Sequence, residues 1–83
     1  MSVPGLRKRS INLRGHATSV ALEPAFWEVI ENIARMRKIS LAALIAELDE
    51  GRGERLLASY CRLTALAHVQ RGAIKRPIAK SAA

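Results

Sequence analysis

The 83-residue chain has a single cysteine, Cys61. That excludes an internal disulfide and a paired Cys/His metal site, and such cysteine usage suits a reducing cytoplasm. Also absent is any apolar run approaching the ~20 residues of a membrane span, and the opening "MSVPGLRKRS" does not read as a signal peptide. The expectation is a cytoplasmic protein without membrane contact. Catalytic patterns are missing as well: no Ser/His/Asp arrangement, Gly-rich phosphate loop or carboxylate pair has the surroundings its chemistry requires. His16 and His68 lie far apart without carboxylate or thiolate company at ligand spacing. The sequence therefore predicts no enzyme, no metal and no other cofactor.

Acidic residues are unevenly withheld. Residues 1–22 carry Arg7, Lys8, Arg9 and Arg14 and no acid, residues 51–83 carry seven bases against Glu54 alone, and residues 23–50 hold six acids against three bases. The formal net charge is +7. Basic ends around an acidic middle point to an anionic partner, with nucleic acid first among them. A domain this small buries only roughly 60% of its unfolded surface. With no disulfide to add stability, oligomerisation is the common remaining source.

Periodicity divides the chain into a flexible basic arm (1–9), a domain (10–70) and a flexible basic tail (71–83). From Ala17 to Leu22, small or polar residues (Ala17, Ser19, Ala21) alternate with Thr18, Val20 and Leu22, which reads as one strand. Pro24 suits the first position of a helix spanning about 24–37. Phe26, Val29, Ile30, Ile33 and Met36 form its apolar stripe. Ser40 is an N-cap for a second helix, about 40–50, with Leu41, Leu44, Ile45 and Leu48 on one face. "GRG" at 51–53 breaks it. A third helix, about 54–70, aligns Leu56, Tyr60, Leu63 and Ala67, with Leu57, Cys61, Thr64 and His68 in the next row. Cys61 there reads as a small core residue.

The strand needs a partner, since an isolated edge leaves its backbone groups unpaired. Two compatible partners are open. Residues 10–14 can fold back through a type II′ turn at Gly15–His16, setting Leu13 opposite Thr18 and Ile11 opposite Val20. Alternatively, residues 17–22 can pair antiparallel with the same segment of a second chain.

The stretch "RGHATSVALEPAFWEVIENIARMRKISLAALIAELDEGRG" resembles the ribbon-helix-helix family, the fold of the Arc and methionine repressors, and in particular a small proteobacterial branch with "TSVxLExxFW". The likeness covers about residues 10–70 and is sharpest from Thr18 to Trp27. It implies a mainly α fold in which the N-terminal strand pairs between protomers into a ribbon that enters the DNA major groove. The helices of both chains interlock beneath it, so the family expects a homodimer. On that resemblance the dimer core comprises Val20, Leu22, Phe26, Trp27, Ile30, Ile33, Leu44, Ile45 and Leu48. Of the adjacent Phe26 and Trp27, one packs within the protomer and the other at the interface.

The resemblance also places the DNA contacts. Ala17, Ser19 and Ala21 face the bases, with Arg14 beside them able to reach guanine bidentately. Ser40 and Leu41 offer the free N–H groups of a helix N-terminus to a phosphate. Lys38 adds charge there, and Arg7, Lys8 and Arg9 follow the backbone. The expected function is a homodimeric double-stranded-DNA-binding protein acting as a transcriptional regulator or repressor. A second reading is an interaction module, such as an antitoxin, that binds another protein through helix 3 or the C-terminal tail.

Overall fold

The computed structural model describes residues 5–72. Five elements follow one another: β1 (Arg7–Leu13), β2 (His16–Leu22), α1 (Pro24–Arg37), α2 (Leu41–Gly51) and α3 (Leu57–Gln70). The fold is mainly α, with one two-stranded sheet ahead of the helices.

The partner of the 17–22 strand is the chain's own β1, paired antiparallel with Ile11 opposite Thr18 and Arg9 opposite Val20. The fold-back is thus present, but its turn is Arg14–Gly15 rather than Gly15–His16. Both turn residues have positive φ, 49° and 86°, the combination that a type I′ turn requires. The Asn12 side-chain oxygen accepts from the Gly15 N–H at 3.0 Å and steadies the turn. The register moves by two residues from the expected one, so every side chain keeps its face.

β1 also begins earlier than the periodicity indicates. Arg7, Lys8 and Arg9, assigned to a flexible arm, are strand residues opposite Leu22, Ala21 and Val20. Residues 1–4 and 73–83, the remainder of the expected arm and most of the expected tail, lie outside the described residues.

The inner face of the hairpin (Ile11, Leu13, Val20, Leu22) is buried against the helices. In α1 the buried row is Trp27, Ile30, Ile33 and Ala34. This is rotated from the expected stripe: Phe26 and Val29 are half-buried and Met36 is 56% exposed. α2 contributes Leu44, Ile45 and Leu48 as expected, with Leu41 half-buried at the margin.

α3 starts at Leu57 because residues 52–55 form a turn, with Arg55 N–H donating to the Arg52 carbonyl and Gly53 at φ 62°. It buries Cys61 and His68 of the second sequence row together with Ala65, which neither row included, while Leu57 and Thr64 of that row are half-buried. Burial pushes the Cys61 thiol up to about 11, which keeps it protonated and inert at neutral pH.

Residues that the resemblance assigns to a dimer core are therefore already covered within one chain, Phe26 being the half-exposed exception. β1 and α3 supply the cover. Trp27 belongs to this intrachain core: it is 2% exposed, and its indole N–H donates to the Arg7 carbonyl at 2.9 Å.

Ion pairs join the elements at their margins. Arg9 of β1 meets Glu31 of α1. Arg37 of α1 grips Glu47 of α2 through two hydrogen bonds of 2.9 Å. Arg62 of α3 binds Glu23 at 3.0 Å.

Candidate nucleic-acid interface

Strand geometry sends successive side chains to opposite faces. Because the hairpin's inner face is filled with large apolar side chains, its outer face holds only what the alternation leaves. β2 contributes Ala17, Ser19 and Ala21, the first two exposed and the third half-buried. Opposite them, β1 contributes Asn12, Ser10 and Lys8, all exposed. Nothing larger than alanine on this face is apolar. Three of its side chains are neutral hydrogen-bonding groups, of which Asn12 already accepts from the Gly15 N–H, and Lys8 carries a charge.

Ser10 and Asn12 do not appear among the contacts that the resemblance implies. Their signal was the alternation of Ile11 and Leu13 with their polar neighbours, which gains meaning only once β1 is known to pair with β2. Ser19 faces Ser10 across the ribbon, so the base-reading candidates come as cross-strand pairs.

The basic residues separate into two groups. Arg14 sits on the turn but is engaged: its guanidinium donates to Asp49 at 2.9 Å and to Glu50 at 3.0 Å. Asp49 also accepts from Arg52 at 2.8 Å. These bonds, with Arg52's the stronger influence, hold its carboxyl below the usual range. The Arg14 bonds tie the turn to the end of α2.

Arg9 is similarly occupied. It pairs with Glu31, and its guanidinium lies 4.6 Å from the Trp27 ring centre, a cation–π contact. Arg7, Lys8 and Lys38 are exposed and have no carboxylate partner among the described residues. They are the cations from the expected set that remain available to phosphates.

Ser40 caps α2 as its sequence indicates. Its hydroxyl accepts from the Ala43 N–H at 3.0 Å, which leaves the N–H groups of the first turn as the helix's positive end. Lys38, two residues before it, closes α1 in the left-handed region at φ 60°, a costly conformation for a residue with a Cβ. Arg35, Glu31 and Leu41 line one shallow depression, and Glu31 in turn holds Arg9 of β1. The start of α2 is thereby linked to the open end of the hairpin, while Arg14 and Asp49 link the turn to the end of α2.

This order of elements, with its polar ribbon and capped second helix, defines a class. Residues 6–69 match the ribbon-helix-helix domain family, and the chain belongs to it. Proteins of this family generally dimerise and are commonly DNA-binding regulators or antitoxins.

A solved structure of an uncharacterized protein from Bordetella pertussis Tohama I is similar at 35% identity and a TM-score of 0.69. The match covers 87% of this chain and 62% of that one, so the chain spans less than two thirds of that protein's length. No curated protein matches the chain. Among the described residues, no helix is long and apolar enough to cross a membrane.

Proposed function

We propose that this protein binds double-stranded DNA as a transcriptional regulator, laying the outer face of its β1–β2 hairpin in the major groove. The observation that carries this reading is the composition of that face: Lys8, Ser10 and Asn12 opposite Ala21, Ser19 and Ala17, with every large apolar side chain turned away. Two strands about 4.8 Å apart fit a groove about 12 Å wide. Joining two β2 edges into a four-stranded sheet would spread the outer strand axes to about 14 Å, too wide to enter. The hairpin of each protomer is therefore the reading unit, and a homodimer, general in the family, presents two of them to two half-sites.

Lys8, Ser10, Asn12 and Ser19 are the base-facing side chains, with Ala17 and Ala21 offering thymine-methyl contact. Arg7, Lys38 and the first turn of α2 at Ser40 and Leu41 take phosphates, which position the protein without specifying sequence.

The test is affinity for duplex DNA as a function of salt. A protein making 6–10 phosphate contacts loses about 10³–10⁵ in affinity between roughly 50 and 200 mM salt. Lys38→Ala should weaken binding about equally on all sequences and lower the salt slope by about 1, whereas Lys8→Ala should relax sequence preference. Selection of bound genomic fragments then identifies the operator. A chain that binds no duplex at 50 mM salt is not a DNA-binding protein of this kind.

A second reading, an interaction module, is favoured by one specific feature: Leu63 and Leu66 lie half-exposed on the solvent side of α3.

A further inference from the structure

α3 carries apolar side chains on two opposite sides. Its inner side buries Cys61, Ala65 and His68. On its outer side Leu63 and Leu66 are 50% and 49% exposed, and Leu56, the extended residue just before the helix, is 74% exposed. At 3.6 residues per turn Leu63 and Leu66 lie about 60° apart on the side opposite the buried row, with Ser59 and Gln70 between them. Clustered leucines at this spacing differ from apolar residues scattered singly over a surface, which need no cover. Residues three apart share one face of a helix, so Leu63 and Leu66 can lie along one side of a second amphipathic helix, with Leu56 at its end.

Charge decides what kind of helix. From Arg55 to Gly72 the chain has Arg55, Arg62 and Arg71 and no acidic residue. Arg62 is shared with Glu23. The Arg55 guanidinium lies 5.7 Å from the Tyr60 ring centre and has no carboxylate partner among the described residues. Arg71 is exposed.

The α3 of a second copy would set bases against bases along this face. The chain's own residues 73–83 add Lys75, Arg76 and Lys80 and again no acid. We propose that the outer face of α3 docks an acidic amphipathic helix of another protein, its apolar stripe on Leu56, Leu63 and Leu66 and its carboxylates on Arg55 and Arg71. The face shares no residue with the hairpin surface, so the proposal stands independently of DNA binding.

Two synthetic helical peptides with the same leucine stripe test it, one flanked by glutamates and one by lysines, titrated against the full chain at 50 and 150 mM salt. The glutamate peptide should bind and the lysine peptide should bind at least tenfold more weakly. Leu63→Ser and Leu66→Ser should each cost the glutamate peptide tenfold or more, with far-UV circular dichroism and duplex-DNA affinity unchanged. Arg55→Glu should narrow the gap between the two peptides.

Absence of glutamate-peptide binding, or equal binding of both peptides, overturns the proposal. So does a chain that sediments as a dimer and becomes monomeric when both leucines are changed, because a second copy then covers the face. Shortening the chain before residue 73 is a further arm. If that truncation alone makes the face bind either peptide equally well, the chain's own tail is the occupant and the proposal fails.

Discussion

The hairpin and α3 are both surface elements packed on the same core, yet they distribute their side chains in opposite ways. The hairpin segregates: Ile11, Leu13, Val20 and Leu22 go inward, and Lys8, Ser10, Asn12 and Ser19 go outward. α3 does not segregate, placing Cys61, Ala65 and His68 inward while leaving Leu63 and Leu66 half-exposed. A polar outer face is complete in water and can meet a hydrated, charged groove. An apolar outer face is incomplete until something lies on it. The difference gives two surfaces of one small domain different chemistry, one polar and one partly apolar.

The sharpest way to break the hairpin side of the comparison is Trp27→Ala. It removes a buried aromatic, the hydrogen bond to the Arg7 carbonyl and the surface on which Arg9 rests. The expected loss is about 3–5 kcal/mol in denaturant unfolding, enough to unfold a domain whose total stability is of the usual small size. Leu66→Ala on the outer side of α3 should move the midpoint by no more than about 0.5 kcal/mol, the range of ordinary surface substitutions. Similar losses from the two would erase the distinction between inner and outer faces.

A smaller effect comes from Gly15→Ala. Nothing lies within 4 Å of the Cβ it would add, so the cost is purely that of holding alanine at φ 86°. About 1–2 kcal/mol is expected from equilibrium unfolding, with the hairpin amides losing hydrogen-exchange protection before those of α3.

The smallest effect is electrostatic. Hydrogen bonds from Arg62 to Glu23, from Arg37 to Glu47 and from Arg52 and Arg14 to Asp49 hold these three carboxyls below their ordinary range. A group whose folded pKa is depressed adds stability above its unfolded pKa and loses it as pH falls through the folded one. Stability should therefore be flat from pH 7 down to about the ordinary carboxylate values and decline below them. Because all these groups are near the surface, added salt should shrink the decline. Asp49→Asn should reduce it further and loosen the Arg14 turn, which is visible as faster exchange at Gly15.

Much of this architecture was legible in the chain. The alternation from Ala17 to Leu22 assigned both faces of β2 correctly, and Pro24, Ser40 and the 51–53 break marked the helix limits to within a few residues. "TSVALEPAFW" carried the family. Less was legible at the candidate site. Arg14 and Arg9 look like free cations in sequence, but Asp49, Glu50 and Glu31 hold them from elements 22 to 36 residues away. Ser10 and Asn12 look incidental until the register sets them across from Ser19 and Ala17.

The sequence by itself determined what is local: the period of each element, its caps and breaks, the faces of β2, and the uneven charge along the chain. Tertiary structure decided what depends on distant partners. It selected the Arg14–Gly15 turn, drew Arg7–Arg9 into the ribbon, rotated the α1 stripe onto Trp27, and chose which side of α3 would be buried. The reason is physical. Periodicity says which residues share a face, but two apolar faces on one helix are equivalent until a particular surface, here that of α1 and β2, removes one of them from water.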